Sequence, residues 1–182
     1  MNRVKPLSIF RYCPRCGSPD HLTVDIKKLE CAACGFHYYQ NAGAAVIALI
    51  PDFEGRLLFT RRAKPPAQAR LDLPGGFVDP LEPAEAAVAR EVEEETGLKI
   101  EQPSYLASFP NIYEYRTVTY YTLDMVFLCR EIDHSKAAPL DEITRILRLR
   151  PEEVDFEEIG FPSVRAALNL YIQRSGRRTG VP

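Results

Sequence analysis

The chain has 182 residues, of which 46% are hydrophobic and 26% charged, and its formal net charge is -2. This balance is typical of a globular protein with one main domain and room for a small second one, and it does not favour a nucleic-acid partner. A mild excess of Lys and Arg within residues 1–40 leaves such a partner open. The longest apolar run, 42–51, is too short to span a bilayer, and the N-terminus lacks a signal-like apolar segment. We therefore expect a cytoplasmic protein with reduced thiols and no membrane contact.

Two C-x-x-C-G motifs lie near the N-terminus, and their cysteines are Cys13, Cys16, Cys31 and Cys34. Four thiolates at this spacing favour tetrahedral Zn²⁺, and because they fill all four positions we expect a structural zinc. The glycine after each pair gives the backbone the freedom that a tight turn needs. We predict a zinc ribbon over 1–40, with a short strand at 21–28. A second domain is predicted over 41–182, with a flexible tail of about eight residues.

The rest of the chain alternates strands with few helices. Strands are predicted at 44–50 and 57–62, which together form a hairpin, and at 71–73, 105–109, 117–129 and 143–149. Helices are predicted at 84–95, from Pro151 onward, and at 163–172. The Tyr-rich segment 110–115 is open to two interpretations, a mobile flap or a packed loop. The pattern predicts an α/β fold in which helices cover a mixed sheet.

The helix at 84–95 carries its acidic residues in unusual positions. At 100° per residue, Glu91 and Glu95 fall on the same side as Val88 and Val92, and Glu94 lies at the margin of that side. Neighbouring carboxylates that face a low-dielectric region repel one another and are costly to desolvate unless a cation neutralises them. Oxygen ligands without His or Cys suit Mg²⁺ or Mn²⁺, which bind phosphate groups as well. The helix therefore predicts metal-dependent phosphate chemistry.

The stretch 76–98 resembles the signature of the Nudix hydrolases, G-x5-E-x7-R-E-U-x-E-E-x-G-U with U aliphatic. It fits at every fixed position, and these are Gly76, Glu82, Arg90, Glu91, Val92, Glu94, Glu95, Gly97 and Leu98. The resemblance covers about 41–172 and implies an α/β/α sandwich with a mixed sheet, preceded here by the ribbon. It implies an enzyme that cleaves the pyrophosphate bond of a nucleoside diphosphate linked to another moiety.

The same resemblance implies roles for individual residues. Glu94 and Glu95 would be metal ligands, and the Gly75 carbonyl would add a backbone oxygen. Glu91 would be a ligand or the general base; it is the favoured base, but the choice stays open. Arg90 would orient the glutamates through charge-assisted hydrogen bonds, and Glu82 would support the loop or reach the metal through water.

A carboxylate from outside the signature often completes such a site in the family. Our candidate is Glu142, just before the strand at 143–149, with Glu114 and Asp124 behind it. A solvated surface carboxylate is the simpler interpretation of each of them. Cys129 lies in an apolar strand and is expected to be a small buried hydrophobic residue.

The ribbon ahead of the signature is similar to that of the NADH pyrophosphatase branch of the family. That branch carries an S-Q-P-W-P-F-P stretch after its signature, where this chain has only A-S-F-P-N at 107–111 and no tryptophan anywhere. NADH or NAD⁺, ADP-ribose, FAD, a dinucleoside polyphosphate and a damaged nucleotide therefore all stay open as substrates. Four aromatic residues could stack on a base or pack in the core: Phe36, Tyr38, Tyr113 and Tyr115.

A second function remains open, a nucleotide-metabolite sensor or nucleic-acid-binding regulator that uses the ribbon as a binding module. The complete set formed by Arg90, Glu91, Glu94 and Glu95 argues for the enzyme, because a sensor does not need a hydrolytic site. The sequence leaves a homodimer open as well.

Overall fold

The computed structural model describes residues 6–19 and 22–176. The chain forms two compact units, one comprising Met1–Gly43 and Ile112–Tyr121, the other Ala44–Asn111 and Thr122–Pro182. Two predictions extend beyond the described residues. The strand predicted at 21–28 starts at His21, and the predicted tail includes 177–182, and these positions are not among the described residues. None of the described helices combines the length and apolarity needed to cross a membrane.

The first unit contains a three-stranded antiparallel sheet in the order β1-β2-β3. Its strands are β1 (Leu22–Val24), β2 (Lys28–Cys31) and β3 (His37–Tyr39). A turn separates β1 from β2, and the Asp25 side chain stabilises it by accepting from the amides of Lys27 and Lys28. The segment predicted as one strand is therefore the first part of a hairpin. Asp25 is the local reason, since an Asp that bonds amides two and three residues on favours a turn.

The second unit is built on two three-stranded sheets. One has the order β4-β8-β7, with β4 (Gly43–Leu49), β8 (Val118–Leu128) and β7 (Ser104–Tyr115); the outer ends of β7 and β8 belong to the first unit. The other has the order β6-β5-β9, with β6 (Leu71–Asp72), β5 (Leu57–Arg62) and β9 (Ile143–Leu149). With helices present as well, the predicted α/β class is confirmed.

The helix α1 (Ala84–Thr96) ends at Gly97, whose φ of 70° is the left-handed C-cap that glycine adopts without strain. Its apolar face packs in a cluster with β4, β5 and β8, through Ala87, Val88 and Val92. Burial of each valine contributes about 1.5–3 kcal/mol. This packing fixes the rotation of α1, and with it the direction in which its glutamates point.

One prediction about strands holds only in part, and another was wrong. Strands β4 and β5 enter different sheets, but the turn between them is paired as in a hairpin, since the Leu58 amide donates to the Ile50 carbonyl at 3.1 Å and Pro51 bridges Leu57. The segment 110–115 is neither flap nor loop, because β7 continues to Tyr115. Pro110 is tolerated there because β7 is the edge strand of its sheet. The turn to β8 consists of Arg116 and Thr117, both with positive φ, as in a two-residue hairpin loop.

The C-terminal part differs from its prediction only in detail. The helix expected from Pro151 consists of two short 3₁₀ helices, Pro151–Glu153 and Phe156–Glu158. The last helix, α2, spans Pro162–Arg174 and buries one apolar side. Cys129 is buried in the same cluster as α1, as predicted, and burial raises the pKa of its thiol to about 12.

Candidate functional site

The four cysteines of the first unit lie together. All their Sγ atoms are within 4.8 Å of one another, and both the Cys13–Cys34 and the Cys16–Cys31 sulfur pairs are 3.8 Å apart. A regular tetrahedron with bonds of about 2.3 Å from Zn²⁺ to sulfur has edges of about 3.8 Å, so the sulfur positions match a zinc site. Each C-x-x-C turn is closed by a glycine amide that donates to the carbonyl of its first cysteine, 2.9 Å in both cases.

In the second unit, the turn Pro74–Gly76 passes between β4 and α1. Pro74 and Gly76 each accept a hydrogen bond from β4, at 2.8 Å and 2.9 Å. The Gly75 amide between them donates to Glu95 Oε2 at 3.1 Å, so the turn is hydrogen-bonded to both β4 and α1.

Both glycines of this turn are required by close packing. A Cβ on Gly75 would lie 2.1 Å from the carbonyl oxygen of Val46, and Gly75 has a φ of 154°. A Cβ on Gly76 would lie 2.5 Å from Glu91 Oε1. The absence of these two side chains lets the backbone approach the carboxylates of α1 directly.

Arg90 holds three of the signature glutamates together. Its guanidinium donates to both oxygens of Glu82 at 2.9 Å, to Glu91 Oε1 at 2.8 Å and to Glu94 Oε2 at 3.0 Å. A further bond, 3.0 Å long, reaches the carbonyl of Phe77. The hydrogen bonds from Arg90 hold the pKa of Glu82 at about 2. Arg90 therefore joins the loop and the helix into one charged cluster.

Glu95 has a different environment from the glutamates on Arg90. It is 9% exposed. Burial raises its pKa to about 9; the Gly75 amide opposes this, and the charges of Asp72 and Glu91 add to it. Burial also raises the pKa of Glu91, although Arg90 opposes that shift. The two glutamates predicted to face the core are thus the two whose ionised forms are costly, while Glu94 is exposed as expected from its marginal position.

A polar group that the sequence did not reveal lies next to Glu95. Asp72 at the end of β6 and Asp124 in β8 are both buried, and Asp72 pairs with Arg62 of β5 at 3.1 Å. Asp124 accepts from Thr122 Oγ1 and Ser163 Oγ, each at 2.6 Å. The sequence offered Asp124 as a candidate behind Glu142 and did not single out Asp72. The sequence signal for Asp72 is a charged residue directly before Leu73-Pro74, in a strand that is otherwise apolar.

The remaining candidates lie elsewhere in their elements. The Glu142 carboxylate pairs with Lys64 Nζ at 2.8 Å and is about half exposed, and Glu114 is exposed near the end of β7. Among the described residues, neither carboxylate is hydrogen-bonded to Arg90 or Glu95, and whether Glu142 binds a metal stays a prediction.

The aromatic candidates all belong to the first unit. The rings of Tyr113 and Tyr115 stack with centroids 6.5 Å apart, and the Arg116 guanidinium lies 5.4 Å from the Tyr115 centroid. Tyr38 is exposed on β3 and Phe36 is partly buried. Tyr38 therefore presents a free ring face to solvent, while Tyr113 and Tyr115 already pack against each other.

Comparisons with known proteins show the family and the fold of this chain. A family model described as the NUDIX domain matches residues 41–171. A crystal structure of a NUDIX hydrolase from Nitrosomonas europaea superposes with a TM-score of 0.66 and 21% identity, covering 92% of this chain and 94% of that one. At this identity the likeness shows the fold.

Two curated relatives add sequence similarity. The NAD-capped RNA hydrolase NudC of Stutzerimonas stutzeri is 36% identical over 102 residues, which is 56% of this chain and 36% of that protein. The mitochondrial NAD(P)H pyrophosphatase NUDT13 of Mus musculus is 32% identical over 146 residues, which is 76% of this chain and 41% of that protein. The chain thus spans well under half the length of the curated relatives it matches.

Proposed function

Because the chain belongs to the NUDIX family, we propose that it is a divalent-cation-dependent hydrolase that cleaves the pyrophosphate bond of a nucleoside diphosphate linked to another moiety. The observation that carries this proposal is the complete signature assembled in space. Arg90 gathers Glu82, Glu91 and Glu94, while Glu95 lies against the amide of Gly75.

The residues present fit a hard cation such as Mg²⁺ or Mn²⁺. Their donor atoms are carboxylate oxygens, which these ions prefer, and the missing side chain of Gly76 leaves the space that the Glu91 carboxylate occupies. We propose Glu94 and Glu95 as ligands, Glu91 as a ligand or the general base, and the Gly75 carbonyl as a further ligand. Glu82 would contribute through water or by holding Arg90. Glu142, the residue before β9, pairs with Lys64 and is a candidate ligand only if that pair opens.

Hydrolysis forms a bond between a water oxygen and one phosphorus atom as the anhydride P–O bond breaks, and the leaving phosphate keeps the electron pair. A bound dication supplies charge neutralisation of the phosphate oxygens and acidifies the attacking water. In this chain Glu91 is our favoured acceptor of the water proton, because burial raises the pKa of its carboxyl and thereby its basicity. Arg90 fixes the direction in which Glu91 and Glu94 point.

The substrate class follows from the relatives. One is named for NAD-capped RNA and the other for NAD(P)H, and both substrates contain a nicotinamide nucleotide joined through a pyrophosphate. We propose a substrate of this NAD type. A short RNA attached to the nucleotide is one form that this substrate could take.

The four thiols of the first unit are proposed to hold a structural Zn²⁺. Two pairs of their sulfur atoms lie at the separation expected around Zn²⁺, and four protein ligands leave no position for water. Such a site needs reduced thiols, in keeping with a cytoplasmic setting.

The test of the proposed function is a panel of pyrophosphates incubated with the full chain and Mg²⁺ or Mn²⁺. The panel contains NADH, NAD⁺, ADP-ribose, FAD, a dinucleoside polyphosphate and an NAD-capped RNA, with products separated by chromatography. We expect two monophosphate products from at least one NAD-type compound, and no product with a chelator present. Tight binding of a nucleotide without turnover of any compound would overturn the proposal in favour of a sensor.

A further inference from the structure

The ion pair between Asp72 and Arg62 lies directly before the glycine turn. Asp72 Oδ2 accepts from Arg62 Nη1 at 3.1 Å, and its Oδ1 accepts from the amide of Leu73 at 2.9 Å. Arg62 is held in turn, since its Nε donates to the Pro66 carbonyl at 2.8 Å and its guanidinium lies 5.1 Å from the centroid of the Phe161 ring. Asp72 is thus held on one side by the guanidinium of Arg62 and on the other by the amide of Leu73, directly before the turn.

The charges around Asp72 do not balance. The buried Asp72 carboxylate adds to the raised pKa of Glu95, and Arg62 is the cation that opposes the raised pKa of both Asp72 and Glu95. Burial is the main reason for the raised pKa of Asp72, with Asp124 adding to it and Arg62 opposing it. Asp124 is satisfied by two hydroxyl donors. One cation is therefore shared between Asp72 and Glu95.

A second observation marks the same place as incompletely satisfied. Thr60 lies directly opposite Asp72 in the register of β5 and β6, so the two side chains share one face of the sheet. The Thr60 hydroxyl is fully buried and has no hydrogen-bond partner among the described residues. A buried hydroxyl without a partner is destabilising, because it has given up its hydrogen bonds to water. The polar side chains around Asp72 therefore do not satisfy all of one another's hydrogen-bonding groups.

We propose that Asp72, held by Arg62, is a positioning residue for the cation site, which neutralises Arg62 and holds the backbone directly before the turn that carries Gly75. Without the Asp72 charge, Arg62 would lose its carboxylate partner, and its positive charge would disfavour a cation on Glu95. The Glu95 carboxylate can hold either a proton or the dication. The negative charge of Asp72 attracts a dication twice as strongly as a proton at the same place, so loss of that charge weakens cation binding relative to proton binding. This inference rests on the proposed function.

The test is Mn²⁺ binding, measured on the full chain by isothermal titration calorimetry and by the loss of the free-ion electron paramagnetic resonance signal. Asp72→Asn has nearly the same shape and keeps an oxygen for the Leu73 amide, but it lacks the charge. We expect its Mn²⁺ affinity to fall about tenfold, as is usual when a group that orients a metal ligand is changed. The Mn²⁺ concentration for half-maximal hydrolysis should rise by a similar factor, while kcat at saturating Mn²⁺ stays within about threefold.

The matched control is Glu158→Gln, which removes the carboxylate paired at 2.8 Å with Arg61, the neighbour of Arg62 on β5. It should leave Mn²⁺ affinity unchanged. If wild type binds Mn²⁺ and Asp72→Asn binds it equally well, or if Glu158→Gln weakens binding as much, the positioning role is wrong and the proposed function stands. If wild type does not bind Mn²⁺ at all, the proposed function itself fails. A lower melting temperature of Asp72→Asn with unchanged Mn²⁺ affinity would show a structural role alone.

Discussion

The two clusters of potential metal ligands in this chain are built in opposite ways. In the cysteine cluster the ligand atoms contact one another, with sulfur atoms 3.8 Å apart. In the glutamate cluster the ligand atoms are held by other groups, with Glu91 and Glu94 on Arg90, and Glu95 on the Gly75 amide. Among the described residues, only the cysteines bring three or more potential ligands within 4.8 Å of one another.

This difference follows from the charge of the ligands and from the role of the ion that each cluster would bind. Thiols can be neutral before a metal arrives, so four of them can gather without repulsion, and a site whose ligands are all protein atoms resists exchange. Ionised carboxylates repel one another, and here the Arg90 guanidinium offsets that repulsion for three of them, while Glu95 accepts from a backbone amide. A pre-assembled cluster suits a structural ion. A cluster whose carboxylates are hydrogen-bonded to other groups suits an ion that must also bind water and substrate.

The largest effect should come from breaking the cysteine cluster. Cys31→Ser replaces a buried thiol that belongs to β2 as well as to the cluster. Since a structural Zn²⁺ contributes about 10 kcal/mol or more to the folding of small zinc domains, we expect this variant to lose its metal and the amide-exchange protection of β1–β3. Zinc content by mass spectrometry should fall from one per chain to none. Cys129→Ala, outside the cluster, should keep its zinc; a full zinc complement in Cys31→Ser would refute the site.

The next largest effect should come from Glu95→Gln. This variant keeps the size of the side chain and an oxygen for the Gly75 amide, but it removes the charge that the proposed cation needs. We expect kcat to fall at least about 10³-fold. The matched control is Glu93→Gln on the exposed side of α1, where the carboxylate pairs loosely with Lys99 at 3.3 Å. That control should retain wild-type turnover, and equal loss in both variants would remove Glu95 from the site.

The same variant gives a pH signature in the absence of metal. The pKa of Glu95 is raised from 4.5 to about 9, so between these values the folded protein holds a proton that the unfolded chain releases. Stability should therefore fall as pH rises from about 4.5 toward 9, and Glu95→Gln should remove that part of the slope. Denaturation at pH 5 and pH 8 with a chelator present measures it. Added Mg²⁺ should restore stability at pH 8 in the wild type alone.

The sequence predicted the elements whose signals are local. The 3.6-residue period of α1 predicted which glutamates face the core, and Gly97 predicted where the helix ends. The spacing of the four cysteines predicted that they cluster, because two C-x-x-C pairs are characteristic of a zinc site. Each of these inferences needs only residues that are close in the chain.

The sequence could not predict features that depend on pairing between distant strands. Nothing local shows that β4 and β5 enter different sheets, or that Pro110 is at an edge where its missing amide costs little. The polar group around Asp72 draws Arg62, Asp124 and Ser163 from three further elements, each as a single residue without a motif. Their proximity exists only after the sheets have formed, and so does the electrostatic coupling to Glu95.

The smallest effect should come from Glu142→Gln. The Glu142 carboxylate pairs with Lys64 on the surface, and exposed pairs of this kind contribute about 0–1 kcal/mol. We expect turnover within about threefold of wild type and a melting temperature within a few degrees, measured beside Lys64→Gln, which breaks the same pair from the other side. A loss of 100-fold or more in Glu142→Gln, with Lys64→Gln active, would show that Glu142 leaves Lys64 to join the cation when substrate binds. The acidic cluster would then be completed only during turnover, unlike the cysteine cluster, which is complete beforehand.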